Sequence, residues 1–407
     1  MPAMWFAVAL AVASAGEPPL QPLVRALAPP GRFAVLVVSL DRGDTLAALD
    51  ADRPLPPAST AKLLTAALAW ELLGPEFRFL TAVVSDPPGP DGAVRRLVLY
   101  GGGDPTLRRD DLQALAAAAH AAGLRRVTEA VLVDATAWDP FDPPPGWTAH
   151  DLRQPYGARV AAINLDGNRR GGRPVADPPG AALELWRVSL RTVGVALPPY
   201  GEVRRRPAPG LAPFADATAP AGRTHLWALH ASTPLDSLLR AMLRASDNQI
   251  AEALWAAVGR WAGGRGHPAA TAALARQRLA VWGVPAVGAE IVDGSGLSRR
   301  NRCSARTLVH LVAHLERVLG PATLERLLPG PAEPGSTLTW LTDPALRGRV
   351  RAKTGTLRGV VALAGLARTR AGERLAFAFL GHDLPNAAVG RRAETALLRA
   401  LVQFDRN

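Results

Sequence analysis

Short apolar runs near both ends of the chain have the length and alternation of β-strands. On the N-terminal side these are residues 33–41 and, after a turn, 46–49. On the C-terminal side, 349–353, 359–368 and 374–380 alternate or run apolar like three strands of a meander. The pattern predicts one antiparallel sheet built from both termini.

A helical pattern separates the two groups of strands. Residues 61–73 are apolar nearly all round, which is typical of a buried helix. Pro54, Pro56 and Pro57 break the chain just before it, so Ser59 should lie near the start of this helix. Further helices are predicted at 111–122, 183–193, 234–244, 250–261, 268–282, 305–318 and 387–402.

The middle of the chain has a different character. Strand-like runs occur at 79–84, 97–100 and 131–133, and a stretch rich in Pro and Gly follows from 138 to 173. Another, at 204–221, has the composition of a linker. Irregular segments of this length are unusual inside one compact domain.

We therefore expect an α+β (mixed α/β) protein with an insertion. Residues 16–76 and 226–407 would form the main domain, with an antiparallel sheet and a helical subdomain. Residues 77–225 would form an inserted β-rich domain. The length of 407 residues suits such an organisation.

The N-terminus predicts export. Residues 5–12 are apolar, and Ala13-Ser14-Ala15 fits a small-residue cleavage site, so residues 1–15 are interpreted as a signal peptide cleaved after Ala15. An uncleaved interfacial anchor is the alternative. We expect a periplasmic or otherwise exported protein. Cys303 is the only cysteine, which excludes an intrachain disulfide.

The net charge and the aromatic content limit the classes of binding partner. The formal net charge is +12, but aromatic residues make up only 5% and do not interleave with basic clusters, which argues against nucleic acid. A basic surface suits an anionic envelope polymer or peripheral contact with a lipid surface. A solvated surface without a particular partner is an equal alternative. The eight histidines show no metal-ligand spacing, so no metal or cofactor is expected.

Only two lysines stand among 45 arginines, and each lies in a short motif. Lys62 closes Ser59-Thr60-Ala61-Lys62, Lys353 opens Lys353-Thr354-Gly355, and Ser246-Asp247-Asn248 lies between them. Taken singly, Ser59 would be a helix N-cap and Lys353 a solvated strand end. In this order, the three motifs form the signature of penicillin-recognising serine acyltransferases.

The spacing explains the chemistry. Ser59 and Lys62 lie one helical turn apart on one face, so an unprotonated Lys62 can take the serine proton. Lys353 would add positive field or bind a substrate carboxylate. Ser246 would relay a proton, and the Asn248 amide would hold a substrate peptide group. Asp247 is equally well a helix cap or turn residue.

The third motif also predicts a binding edge. Gly355 has no side chain, so an extended peptide can approach the strand there and add to the sheet. The backbone N–H of Thr356 is a candidate second donor to the oxyanion, beside the N–H groups at the helix start.

The chain resembles the class C low-molecular-mass penicillin-binding proteins, which are D-alanyl-D-alanine carboxypeptidase/endopeptidases. The resemblance covers nearly the whole sequence. Besides the three motifs, it rests on the segments 57–65, 100–107, 145–147, 162–168, 293–299 and 352–357.

This resemblance implies a transpeptidase-like catalytic domain interrupted after the first motif. Ser59 would be the acyl-forming nucleophile and Lys62 the base, with Ser246 and Asn248 in the second motif. The third motif, with Lys353, Thr354, Gly355 and Thr356, would line the substrate carboxylate side. Asp134 matches a family position that contacts the third stem-peptide residue, and Arg299 is a weaker match of the same kind.

The predicted function is that of a serine DD-peptidase of the cell envelope. Its partners would be peptidoglycan stem peptides, with β-lactams as covalent inhibitors. A serine β-lactamase is the enzyme alternative, but no Glu-x-x-x-Asn element lies between the first two motifs and the 187-residue gap favours an insertion. A catalytically silent envelope-binding protein is the alternative from another class.

Overall fold

The computed structural model describes residues 17–27, 32–138, 143–205, 224–263 and 266–406. The predicted signal peptide lies outside these residues. The chain forms two compact units. The first contains the described residues up to Leu68, the segment Leu239–Asp247 and the described residues from Ala272 onward, and the second contains Ala69–Leu238 and Asn248–Thr271.

Strands and helices follow one another along the chain much as the apolar pattern predicts. The strands are β1 (Phe33–Ser39), β2 (Thr45–Leu49), β3 (Leu80–Ser85), β4 (Ala93–Gly101), β5 (Arg126–Asp134), β6 (Arg169–Arg170), β7 (Arg173–Pro174), β8 (Gly201–Arg204), β9 (His225–Ala231), β10 (Val350–Leu357), β11 (Val360–Arg368) and β12 (Arg374–Gly381). The helices are α1 (Gln21–Leu27), α2 (Lys62–Leu73), α3 (Arg109–Ala121), α4 (Pro178–Thr192), α5 (Leu235–Ala245), α6 (Asn248–Gly263), α7 (Pro268–Val281), α8 (Ala305–Leu319), α9 (Pro321–Leu327) and α10 (Ala387–Gln403). Short 3₁₀ helices lie at Ala58–Ala61, Asp151–Arg153, Pro155–Gly157, Asp166–Asn168 and Pro344–Leu346.

The first unit is built on a five-stranded antiparallel sheet in the order β10-β11-β12-β1-β2. The predicted sheet from both termini is therefore confirmed. Its centre is the pairing of β1 with β12, which sets Val35 opposite Phe379. The strand with the Lys-Thr-Gly motif, β10, is one edge of this sheet.

Both faces of this sheet are covered, which explains why β1 is apolar at six of seven positions. All seven residues of β1 are buried. One face packs in a core with α10, where Phe377 and Phe379 meet Leu397 and Leu401. Helix α8 contacts three strands of the sheet, β1, β11 and β12. Alternate residues of one strand thus belong to two different layers.

The second unit contains a mixed sheet in the order β8-β5-β4-β3-β9. Strand β5 pairs in parallel with both β4 and β8, whereas β3 pairs antiparallel with both β4 and β9. Its core includes Trp186 of α4 and Trp227 of β9, and the Trp227 Nε1 donates to Ser85 Oγ at 2.8 Å. β9 lies beyond the predicted end of the insertion at residue 225. The predicted domain limits stay a prediction.

Among the described residues, none of the helices combines the length and the apolar composition needed to cross a bilayer.

One buried acid stands out in the first unit. Glu394 of α10 is 1% exposed, and neither carboxylate oxygen has a hydrogen-bond partner among the described residues. Desolvation by burial raises the pKa of Glu394 to about 8, against a weaker lowering effect from the charge of Arg391. The folded protein therefore holds a proton here that the unfolded chain releases near its ordinary pKa of 4.5.

The sign of the pH dependence follows from this difference. The unfolded state binds fewer protons, so the free energy of unfolding should fall as pH rises from 4.5 to about 8, by up to about 1.4 kcal/mol per pH unit. Glu394→Gln should remove this slope and stabilise the protein most at pH 8. Denaturant unfolding at pH 5 and pH 8 checks it. The exposed Glu184→Gln is the control, and equal pH slopes in the wild type and Glu394→Gln would contradict the assignment.

Candidate active site

The first motif lies where a 3₁₀ turn, Ala58–Ala61, runs into α2. The predicted position of Ser59 at a helix start is thus confirmed. Thr60 fixes the turn, because its hydroxyl donates to Pro57 O at 2.6 Å. Ala58 has φ +45°, in the left-handed region that non-glycine residues rarely adopt. Ser59 is half-buried, so its hydroxyl is accessible but held in a defined backbone.

Two glycines let neighbouring backbone come close to Ser59. A Cβ on Gly355 would lie 2.8 Å from Pro57 O and 3.0 Å from Ser59 N. A Cβ on Gly296, which has φ +79°, would lie 1.9 Å from Ala58 O. The strand β10 and the loop around Gly296 therefore enclose the Ser59 backbone from two directions, and neither glycine position has room for a side chain.

Lys62 is fully buried beneath the serine. Its Nζ lies 3.0 Å from Ser59 Oγ and donates to the carbonyl oxygen of Ser295 at 2.7 Å. The carbonyl fixes the direction of the amine, and the serine hydroxyl lies within proton-transfer distance. A neutral Lys62 in this position can accept the Ser59 proton directly.

The loop that supplies the Ser295 carbonyl is organised by Asp293. This buried carboxylate accepts hydrogen bonds from Gly296 N at 2.9 Å, Ser298 N at 2.6 Å and Asn301 Nδ2 at 2.7 Å. Thr65 of α2 also donates to Gly294 O at 2.7 Å. Sequence reasoning quoted this segment as part of a family pattern but gave Asp293 and Ser295 no role. A Gly-rich turn beside a buried acid was the available signal.

The second lysine is also fully buried, so the solvated strand-end alternative is wrong. Lys353 Nζ donates to Ser246 Oγ and to Thr354 O, both at 2.9 Å. Desolvation holds the pKa of Lys353 well below its ordinary value of 10.5, and the positive charge of Lys62 lowers it further. The two amines thus lie within electrostatic reach of each other.

Ser246 lies in the two-residue connection between α5 and α6. Its φ of +58° again falls in the left-handed region. The hydrogen bond from Lys353 Nζ joins the second and third motifs. A strained backbone at a serine that contacts a buried lysine is typical of functional sites.

An ion-pair bridge ties these two motifs together outside the serine–lysine contacts. Glu333 binds Arg244 Nη1 through Oε2 at 2.9 Å and Arg351 Nη1 through Oε1. Arg244 is two residues before Ser246, and Arg351 is two residues before Lys353 on β10. The backbone N–H of Gly330 holds Glu333 at 3.1 Å, and the two arginines keep the pKa of Glu333 below its ordinary value against desolvation. Sequence reasoning missed this bridge, because no motif marks a lone glutamate.

The two threonines at the third motif differ in exposure. Thr354 is 6% exposed, and its hydroxyl lies 2.8 Å from that of Thr337. Thr356 is exposed at the edge strand. An edge with a buried Lys353, a bare Gly355 and an exposed Thr356 can receive an extended chain.

Three further predicted substrate contacts have described surroundings of their own. Asn248 begins α6 in the second unit, where its Nδ2 donates to Tyr156 O at 2.9 Å. Asp134 ends β5 in the same unit, is 9% exposed, and accepts from Thr136 N and Thr136 Oγ1 at 2.9 and 2.6 Å. Arg299 lies in the first unit with an exposed side chain, just after the Asp293 loop. Their substrate roles stay predictions.

Within the described ranges, no group of three or more His, Cys, Asp or Glu side chains is arranged to hold a metal ion. Proton transfer between hydroxyl and amine groups is the chemistry these residues can perform.

Comparisons with known proteins agree with this geometry. The chain matches the D-Ala-D-Ala carboxypeptidase 3 (S13) family over residues 26–185 and 214–404. It is 34% identical over 372 residues to a carboxypeptidase of Mycobacterium tuberculosis, covering 86% of this chain and 76% of the relative. It is 30% identical over 424 residues to the D-alanyl-D-alanine carboxypeptidase of Actinomadura sp. strain R39, covering 86% and 78%.

The fold is also known. The structure is similar to penicillin-binding protein 4 of Haemophilus influenzae, with a TM-score of 0.82 and 23% identity over 94% of this chain and 99% of the other. The transpeptidase-like fold class and the resemblance to low-molecular-mass penicillin-binding proteins are confirmed. This chain belongs to the D-Ala-D-Ala carboxypeptidase 3 (S13) family, and it is an enzyme of the serine peptidase type.

Proposed function

We propose that this protein is a DD-peptidase that cleaves the D-Ala-D-Ala terminus of peptidoglycan stem peptides through an acyl-enzyme on Ser59. The observation that carries the proposal is the position of Lys62 Nζ, 3.0 Å from Ser59 Oγ and fixed by the Ser295 carbonyl. A buried amine on a serine hydroxyl, in a family of D-Ala-D-Ala carboxypeptidases, supports this reaction above other hydrolytic reactions.

Acylation begins when neutral Lys62 removes the Ser59 proton as Oγ attacks the carbonyl carbon of the penultimate D-alanine. The carbonyl electron pair moves to oxygen, and the resulting oxyanion takes hydrogen bonds from backbone N–H groups. The start of the helical segment at Ser59 and the N–H of Thr356 on β10 are the proposed donors.

The tetrahedral intermediate then collapses. The C–N bond breaks, and the departing amine of the terminal D-alanine takes a proton, so that a neutral amino group leaves. The Ser246 hydroxyl is the proposed relay: it gives its own proton to the departing nitrogen and takes up the proton that Lys62 removed from Ser59, which leaves Lys62 neutral again. The Ser246 oxygen accepts a hydrogen bond from Lys353 Nζ at 2.9 Å. Water then attacks the ester, and hydrolysis returns the proton to Ser59. A β-lactam would acylate the same oxygen, and the resulting acyl-enzyme would be hydrolysed slowly.

The substrate carboxylate belongs near the third motif in this proposal. Lys353, Thr354 and Thr356 would bind it, Gly355 would admit the peptide backbone, and Asn248 would hold a peptide group. Asp134 and Arg299 would contact the third stem residue. These assignments rest on motif position and on the surroundings of each residue.

The proposal also includes export to the periplasm and an endopeptidase activity. A signal peptide of residues 1–15 would direct the protein to the periplasm, where peptidoglycan lies. Cleavage of cross-links, an endopeptidase reaction, uses the same bond type and the same serine. Peripheral membrane contact through the basic surface stays a prediction.

Replacement of the nucleophile gives the first test. Ser59→Ala should abolish labelling by a fluorescent penicillin and D-alanine release from stem pentapeptide, because the oxygen that would carry the acyl group is removed. Gel fluorescence and amino-acid analysis measure the two results. The exposed Ser237→Ala should keep both activities, and persistent labelling of Ser59→Ala would refute the assignment.

Lys353→Met separates function from stability. Acylation by penicillin should fall by about 10²- to 10⁴-fold, because the amine that donates to Ser246 Oγ is lost. The lowered pKa of Lys353 means that the folded protein binds fewer protons than the unfolded chain, so this lysine destabilises the fold as pH falls below 10.5.

Lys353→Met should therefore raise the free energy of unfolding at pH 7 more than at pH 10. Stopped-flow acylation and denaturant unfolding measure the two effects. A variant that is less stable than the wild type at pH 7 would contradict the account of a buried, strained charge.

The ion-pair bridge gives a third test. Glu333→Gln should slow acylation about tenfold by loosening the Ser246–Lys353 contact, with a smaller effect on the binding constant for penicillin. Glu325→Gln, which removes an exposed pair with Arg368 of β11, is the matched control. Equal acylation rates in the two variants would show that the bridge stabilises the fold without positioning the site.

A further inference from the structure

The second unit contains a recess lined by arginines, separate in its residues from the serine–lysine cluster. Its volume is about 250 Å³, and its charged lining is formed by Arg109, Arg169, Arg170 and Arg173 together with Asp166. We call it the arginine recess. It is formed by residues of one unit alone, between the start of α3, the hairpin β6–β7 and α4.

A short hairpin places three of the arginines together. β6 and β7 are joined by Gly171-Gly172, whose φ values of +56° and +75° allow a two-residue turn. Arg170 is paired with Arg173 across this turn. The segment before it is fixed by Asn168, which is 2% exposed and donates to Arg159 O at 2.7 Å. The hairpin therefore starts from a rigid base.

The positive charge of the recess is not balanced. Four arginines face one aspartate, a net charge of +3 from the lining residues. Arg109 Nε lies 3.9 Å from Asp166 Oδ2. Within the described parts of the chain, Arg170 and Arg173 form no ion pair, and the buried Nε of Arg169 has no hydrogen-bond partner.

Other arginines of the same unit differ in this respect. Arg95, Arg126 and Arg205 each bind a carboxylate, at 2.5, 2.7 and 2.7 Å. Exposed arginines of this unit can therefore be paired with acids, as these three are, whereas Arg170 and Arg173 line a concavity without an ion pair. Several guanidinium groups around one concavity with a single carboxylate favour an external anion.

Part of the lining of the recess is apolar. Pro178, Ala181 and Leu185 lie on one face of α4, three and four residues apart, and all three line it. Leu165 also lines the recess. A recess with both apolar and charged lining suits a ligand with a carbon skeleton at one end and an anionic group at the other.

We propose that the arginine recess binds a phosphate ester of a small organic residue, such as a glycerol or sugar phosphate. The guanidinium fork matches phosphate oxygens in pairs, and an excess of three positive charges suits a group with more than one negative charge. The volume is slightly below that of sites for drug-sized ligands, which limits the organic part to a few carbon atoms. The ester reaches the recess either as a soluble molecule or polymer unit, or as a phospholipid headgroup.

Calorimetric titration of the full chain with glycerol 3-phosphate at low salt tests the proposal. The wild type should bind it, and the double variant Arg170→Gln/Arg173→Gln should have a dissociation constant at least tenfold higher. Arg96→Gln/Arg191→Gln removes two exposed charges of the same unit outside the recess and should change it less than twofold. Thermal unfolding and penicillin labelling confirm that each variant is folded, and labelling is independent of the recess.

Three results would overturn the proposal: no binding to the wild type, equal weakening in both double variants, or equal affinity for acetate. Flotation with phosphatidylglycerol and phosphatidylcholine vesicles separates the two sources. Retention on phosphatidylglycerol that depends on Arg170 and Arg173 assigns the ester to a lipid headgroup. Retention that does not depend on them, together with recess-dependent binding of glycerol 3-phosphate, assigns it to a soluble ester.

Discussion

The structure depends on keeping two lysine amines out of water within electrostatic reach of each other. Lys62 and Lys353 are both fully buried, and the charge of the first lowers the pKa of the second. Two ammonium groups in such surroundings repel each other and lose hydration, so removal of one proton relieves both costs. Removal of one proton leaves a neutral amine that can accept a proton, which an arginine in either position cannot provide.

Such an arrangement must be held by backbone that does not relax. Asp293 fixes the loop that presents the Ser295 carbonyl to Lys62, and Gly355 lets β10 lie against the backbone of Ser59. Ala58 and Ser246 both carry left-handed backbone beside their motifs. Strain at these positions is stabilised by the buried sheet and helices around them, which is the usual relation between a rigid fold and a reactive site.

Periodicity predicted the sheet from both termini and the main helices, since those elements bury apolar faces with a clear repeat. It missed the helices α1 and α9 and the strands β6, β7, β8 and β9. β9 carries exposed leucines on an edge strand, so its pattern is ambiguous, and α9 is a single short segment after Pro321. The motifs identified Ser59, Lys62, Ser246 and Lys353 because these chemistries need fixed residue types.

The supporting contacts were beyond sequence reasoning. Glu333 is an ordinary glutamate until the fold sets it between Arg244 and Arg351. Likewise, the Ser295 contribution is a backbone carbonyl, which any residue type carries. Arginine-rich composition also concealed the arginine recess, because the hairpin at Gly171-Gly172 is distinguished by missing acidic partners and not by its residue types.

The central pairing of β1 with β12 has a consequence for biosynthesis. β1 pairs with β2 directly after it in the chain, but its other partner, β12, exists only when residues up to Gly381 have been made. Contacts so distant in sequence form slowly. A chain that ends before β12 therefore lacks the strand that joins β10 and β11, and with them Lys353, to the strand that precedes Ser59.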